Sequence, residues 1–201
     1  MQPKLLCTLF AVFGLILWAD AASAAMPAGT VVAISGSCTA RGRALRAGDP
    51  VQVSDTINVP AGSKLKLRMS DGSVIAVAPG SSMTLESYNF GGPGRYVKLS
   101  LAQGLVRAVV APVGSPSTFE VSTAVGAASV RSGSADWFIA SQTGWAQVGV
   151  LDGDVDLASA ATGRSVSIPG HWGTRLEEGH DAVPPRNWTE AEFEAVTDST
   201  Q

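Results

Sequence analysis

An all-β fold is predicted by three features of the sequence. Apolar and polar residues alternate over short runs, turn residues cut those runs at near-regular intervals, and no long helical period appears before the last residues. The pattern is densest in Ala44–Glu86, where Gly48-Asp49, Ala61-Gly62, Asp71-Gly72-Ser73 and Pro79-Gly80-Ser81 separate the apolar runs. About twelve short strands are expected, in a sandwich or a β-roll or solenoid-like arrangement, with a short C-terminal helix.

The chain opens with the three parts of a secretory signal peptide. Met1–Lys4 is a short basic start, Leu5–Ala19 is uncharged and apolar, and Asp20–Ala25 ends in small residues of A-x-A type. Ala22-Ser23-Ala24 places cleavage after Ala24, with Ala25 the next best site. The apolar core is shorter than the ~20 residues that span a bilayer, and Cys7 precedes it, which argues against a lipoprotein. Residues 1–24 are thus read as a signal peptide, 25–183 as one all-β domain, and 184–201 as a Pro-rich break and short helix. No later segment is long and apolar enough to span; Leu105–Val113 comes closest and is interrupted by Arg107 and Pro112. The chain is expected to be periplasmic or secreted.

Individual strands follow from alternation. In Lys64–Met69 the residues Leu65, Leu67 and Met69 share one face and Lys64, Lys66 and Arg68 the other. Asp71-Gly72 then signals a hairpin returning through Val74–Val77, because Asp-Gly between alternating runs suits a tight turn. Tyr96–Leu101 is expected to turn at Ala102-Gln103-Gly104 into Leu105–Ala111, and Val148–Leu151 to meet Asp154–Leu157 across Asp152-Gly153. Phe119–Thr123, Ala128–Arg131, Trp137–Ala140 and Ser165–Ile168 are further strands, and Gly91–Gly94 is a loop. Gln103-Gly104-Leu105-Val106 and Asp152-Gly153-Asp154-Val155 share a pattern 49 residues apart, which is too little for a repeat array. After Pro184-Pro185, Trp188–Val196 reads as a helix with capping-box spacing at Thr189 and Glu192. Trp188, Ala191 and Ala195 are expected on one face, with Phe193 off it. Such a helix covers an edge or end of its own sheet or docks a partner, and the first reading is preferred.

An ordered set of short motifs resembles the FecR-domain family. It comprises Gly29-Thr30-Val31, Ala44–Asp49, Asp71-Gly72-Ser73, Pro79–Leu85, Leu101–Val106, Phe119–Thr123 and Val150–Val155, and it spans roughly Gly29–Leu157. Where that family has Val-Arg-Gly-Thr, this chain has Val130-Arg131-Ser132-Gly133-Ser134-Ala135-Asp136-Trp137. The resemblance implies a sensing or protein-binding role. Its best-known members are membrane regulators whose cytoplasmic segment controls a sigma factor while the periplasmic domain listens to a siderophore receptor. This sequence shows neither that segment nor a spanning helix, so a stand-alone exported domain is expected.

Composition narrows the function classes further. The chain carries 14 basic and 17 acidic residues, a balance without the basic footprint of nucleic-acid binding or a polybasic lipid patch. Cys38 is the only cysteine after cleavage, which excludes an internal disulfide, and it is expected to be buried. His171 and His180, with Glu177, Glu178 and Asp181, match no zinc spacing. Asp152-Gly153-Asp154-Val155-Asp156 lacks the distal glutamate of a calcium loop, and alternation explains it better. No nucleophile elbow or phosphate loop is present. No catalytic, cofactor-binding or metal residue is therefore assigned, and no cofactor is expected. Trp137 reads as core, whereas Trp145 and Trp172 sit beside polar residues and Trp188 opens the C-terminal segment. The leading reading is a non-enzymatic module that binds a protein or senses a signal in the cell envelope, using sheet edges or loops. The alternative, suggested by the tryptophans, is a carbohydrate- or peptidoglycan-binding, less readily hydrolytic, envelope protein.

Overall fold

The computed structural model describes residues 27–92 and 94–201, so the signal-peptide reading lies outside the described residues. The chain forms β1 (Gly29–Ser35), β2 (Thr39–Ala40), β3 (Arg43–Ala44), β4 (Pro50–Val51), β5 (Thr56–Val59), β6 (Lys64–Met69), β7 (Val74–Val77) and β8 (Ser81–Phe90). It continues through β9 (Arg95–Val110), β10 (Ser117–Ser122), β11 (Gly126–Val130), β12 (Ala135–Gln142), β13 (Trp145–Asp152), β14 (Asp154–Ser159) and β15 (Ser165–Pro169). The last elements are β16 (Trp172–Glu177), β17 (Arg186–Asn187) and helix α1 (Glu190–Thr200). Among the described residues the fold is all-β with one short C-terminal helix, as expected. The 17 strands found there exceed the dozen read from alternation, because β2, β3, β4 and β17 hold only two residues each and have no period to detect.

Two sheets face each other. Sheet A runs β4-β1-β6-β7-β9-β12-β13-β16-β17, all antiparallel. Sheet B runs β3-β2-β5-β8-β9-β10-β11-β14-β15, antiparallel except for the β9–β10 pair. Alternate residues of both sheets fill the space between them. Leu65, Leu67, Ile75, Trp137, Ile139 and Val148 come from sheet A, and Ile57, Met83, Leu99, Phe119 and Leu157 from sheet B. Trp137 is core, as its apolar strand predicts, and Cys38 is buried at 1% exposure.

Two expected hairpins have a different form. The chain does reverse at Gly104, but the two arms of β9 do not pair. Arg95–Gln103 lies in sheet B beside β8, and Gly104–Val110 lies in sheet A between β7 and β12. At Gly153, likewise, β13 in sheet A passes to β14 in sheet B. Both glycines adopt left-handed backbone, at φ 98° and 83°. Each sits where a Cβ would collide, with Ser81 Oγ at 2.2 Å for Gly104 and Ser134 O at 2.5 Å for Gly153. The weak similarity between these two segments is thus a shared corner that carries the chain across the sandwich.

A second, thinner apolar layer lies on the outer face of sheet A. One cross-strand row there reads Ala33, Lys66, Ala76, Arg107, Phe138, Gly149, Gly173, Arg186. Trp188 lies on the floor made by the two glycines. A Cβ on Gly173 would sit 2.3 Å from its ring, and one on Gly149 would sit 3.2 Å from it and 2.4 Å from Phe138. Phe138, Trp188 and Phe193 stack with centroids 5.4–6.4 Å apart. The helix begins at Glu190, two residues later than expected, because β17 pairs with β16 and Trp188 N–H bonds His171 O at 3.0 Å. Its packed stripe is Phe193, Val196, Thr197 and Thr200, while Ala191 and Ala195 face solvent, reversing the predicted face. α1 therefore covers a sheet face and not an edge or end. The capping position is as predicted: the Glu192 carboxylate accepts the Thr189 N–H at 2.9 Å. Arg186 beside it, together with that N–H, holds the Glu192 carboxyl down at about 2.

Gly104→Ala is expected to destabilise the protein by at least about 2 kcal/mol in urea titration, from backbone strain and forced displacement of Ser81. Gly163→Ala, also at positive φ but with nothing within 4 Å, is the control. It is expected to cost only about 1 kcal/mol.

Candidate functional site

The polar centre of the molecule is a buried charge cluster at the end of the sandwich opposite Gly104. Asp71 and Ser73 belong to the β6–β7 turn of sheet A, and Arg95 opens β9 in sheet B. The Arg95 and Asp71 side chains are fully buried, with Nη1 2.8 Å from Asp71 Oδ2. Nη1 also donates to Ala111 O at 2.8 Å and Nη2 to Ser117 Oγ at 3.0 Å, while the guanidinium lies 5.7 Å from the Phe119 ring centroid. The Ser73 hydroxyl donates to Asp71 Oδ2 at 2.8 Å and accepts the Ala111 N–H at 3.1 Å. Asp71 N–H bonds the Tyr88 hydroxyl at 2.7 Å. Burial, then the Asp71 charge, pushes that phenol up to about 12. Read in sequence, Asp71-Gly72-Ser73 is a turn signal; nothing in the alternation reveals that its side chains carry a buried guanidinium.

The other polar candidates do not converge. His171 sits in the β15–β16 turn with its ring 6.4 Å from Phe193, and His180 Nδ1 lies against Glu178 O at 2.8 Å. Asp181 pairs with Arg164 at 3.1 Å, and Glu177 with Arg175 at 3.3 Å. Among the described residues no group of three or more His, Cys, Asp and Glu is placed to hold a metal. Asp152 and Asp154 are exposed, and Asp156 pairs with Arg131 at 3.6 Å. Burial pushes the Cys38 thiol up, and its Sγ faces Lys64 O. Of the tryptophans, Trp145 is covered by the Arg175 guanidinium 4.4 Å from its ring centroid, Trp188 is buried, and Trp172 is 37% exposed.

The sheet edges differ sharply in how they are protected. Sheet A ends in β4, with Pro50, and in β17, just after Pro184 and Pro185; sheet B ends on one side in β3. Each of these has two residues. The free half of β1 carries a bulge between Val31 and Ala33, and the half of β8 that runs past β5 carries one between Leu85 and Ser87. The remaining edge, β15, has five residues, ends in Pro169, and among the described residues pairs with β14 alone. Ser159 N–H bonds Arg164 O at 2.9 Å, which sets the alternation. Val166 and Ile168 direct their main-chain groups to β14, and Ser165 and Ser167 direct theirs outward.

Residues 55–156, just over half of the chain, match the family model described as FecR protein. The chain belongs to the FecR family. Among solved structures, two crystal structures of a candidate anti-sigma factor from Parabacteroides distasonis ATCC 8503, at 1.65 and 2.50 Å resolution, share the fold at 17% identity. TM-scores are 0.56 and 0.57; the match covers 70% of this chain and 63% and 62% of those chains, under two thirds of their length. No curated protein sequence matches the chain. The matched region holds Asp71, Ser73, Tyr88 and Arg95 together with both corner glycines.

Arg95→Met is expected to cost about 3–5 kcal/mol in urea titration, since it strands a buried carboxylate. Asp71→Asn should cost a similar amount, and the two losses should be strongly non-additive in the double variant. Because folding raises the Tyr88 pKa from 10.0 to about 12, its contribution is complete below pH 10 and is lost as pH rises through about 12. Stability measured against pH should therefore fall across that window, and Tyr88→Phe should flatten the fall.

Proposed function

We propose that this chain is an exported, non-enzymatic FecR-family module that recognises a protein in the bacterial cell envelope, with β15 as the receiving edge. The carrying observation is the contrast among edges: three hold only two residues each, whereas β15, ahead of its terminal Pro169, leaves the Ser165 and Ser167 main-chain groups unpaired. An extended peptide adding there continues sheet B, and its alternate side chains extend the layer of Val166 and Ile168. Family membership and the likeness to a candidate anti-sigma factor support a signal-sensing, regulatory role. Among the described residues no helix is long and apolar enough to cross a membrane, which agrees with an exported domain carrying a cleaved leader. The buried, unactivated Cys38 and the separated histidines support a binding role over catalysis.

Export predicts that the mature chain begins at Ala25, as read by mass spectrometry of the periplasmic fraction; an unprocessed cytoplasmic chain contradicts it. For the edge, Ser167→Pro removes one outward N–H while leaving the β14 ladder intact. Cross-linking in envelope fractions is expected to capture a partner with the natural chain and to lose it with Ser167→Pro, at unchanged Tm. Equal capture by both chains, or none by either, would overturn the reading.

A further inference from the structure

Helix α1 fills the layer beneath it incompletely. A cavity of about 520 Å³ opens at its N-terminal end among Leu151, His171, Trp188 and Phe193. A smaller one, about 150 Å³, opens at its C-terminal end among Ile34, Lys64, Lys66 and Thr200. Two of the four residues in its packed stripe are threonines, whose hydroxyls bond back to the helix's own carbonyls, Thr197 to Phe193 O at 2.9 Å and Thr200 to Thr197 O at 3.0 Å. An isolated helix of 11 residues does not persist in water, so leaving the sheet and unfolding are one event for α1. Charge is divided across the contact. The helix carries Glu190, Glu192, Glu194 and Asp198 and no basic residue, whereas the floor presents Lys64 and Lys66. The Lys64 ammonium donates to the final carbonyls, Asp198 O at 2.9 Å and Gln201 O at 3.3 Å, at the negative end of the helix dipole.

We propose that α1 is a displaceable strap, occupying in cis a groove on the outer face of sheet A that receives an acidic amphipathic helix of a partner. The groove's present occupant has that chemistry, and the cavities at both ends leave room for a bulkier apolar stripe than Phe193, Val196, Thr197 and Thr200 supply. The inference rests on the protein-binding reading for the existence of a partner, and adds a second surface and its control. A strap closed 99% of the time lowers the apparent affinity of a competing helix about 100-fold.

The test uses the full mature chain and, as probe, a fluorescein-labelled peptide with the sequence of residues 186–201. The Phe193→Ala/Val196→Ala variant is expected to bind the peptide at least 10-fold more tightly than the natural chain. Adding Lys64→Glu and Lys66→Glu should remove that gain, and raising salt should reduce it. Amides of residues 190–200 should exchange hydrogen faster than those of β12. Equal peptide affinity for natural and undocked chains, or exchange in 190–200 as slow as in β12, would sink the proposal. Thr197→Leu gives a converse arm independent of the undocked variant's folding: slower exchange and weaker peptide binding, with no change in either counting against the strap. Failure here leaves the Ser167→Pro capture at β15 untouched. Loss of that capture effect with intact peptide displacement would instead remove the edge reading and spare the strap.

Discussion

The burial of one guanidinium constrains the architecture. Arg95 starts the first arm of β9 in sheet B, Ala111 follows the second arm in sheet A, and the Arg95 Nη1 donates to the Ala111 carbonyl at 2.8 Å. The strand must therefore bend back on itself, and Gly104 is where it does so. The Asp71 and Ser73 turn supplies the counter-charge from a third position in the chain. A buried pair of this kind contributes little beyond what a packed apolar alternative would, because desolvation offsets attraction. Its consequence is registry: sliding β6–β7 by one residue against β9 would leave a buried charge alone, at about 3–5 kcal/mol.

From that constraint follows the alternation of the two sheets. Once β9 has an arm in each, the chain lays pairs in turn: β10 and β11 in sheet B, β12 and β13 in sheet A, β14 and β15 in sheet B, β16 and β17 in sheet A. Every later crossing occurs between strands at an end of the sandwich, where turn residues and not strand residues are required. The departure from the family pattern at Val130–Trp137 falls on such a crossing. Arg131–Ser134 is exposed there, and the Arg131 side chain reaches only the exposed Asp156. A turn that touches neither the core nor the Arg95 cluster tolerates a changed Gly-Thr at little cost.

Alternation made the strands and their inward residues readable: Leu65, Leu67 and Met69 are buried and Lys64, Lys66 and Arg68 face out, as period two requires. What it does not specify is pairing. Gln103-Gly104 and Asp152-Gly153 have hairpin wording, and only the collision of a Cβ with Ser81 or Ser134, which is tertiary information, separates a corner from a hairpin. A C-terminal helix is legible in the sequence, but it lies at Glu190–Thr200 and not at Trp188–Val196, and it is rotated. Small alanines read as a packing face, yet Phe193 packs under against Phe138, over the flat floor of Gly149 and Gly173, residues 20 to 55 positions away. The cluster around Arg95 is hidden for the same reason, since its partners come from four separate segments, at 71–73, 88, 111 and 117–119. Edge strength was equally illegible, because β15 reads as an ordinary short strand until its missing neighbour is known.

From the open edge to the strapped face the chain runs through β16 and then residues 178–189, and the anchors of that last segment decide whether the two act together. His180 O accepts the Ser159 hydroxyl at 2.7 Å, and Asp181 pairs with Arg164, tying the start of the segment to sheet B. Val183 N–H bonds Arg175 O at 2.9 Å, and Arg186-Asn187 pair with β16, tying its middle to sheet A. Trp188 N–H is held by His171 O before α1 begins. Release of α1 therefore stops at Trp188, with three independent attachments between it and β15. Sites separated by such fixed points are expected to contribute additively. A strand at β15 and a helix on sheet A are then two separate contacts, and a partner that makes both gains through effective concentration and not through a conformational relay.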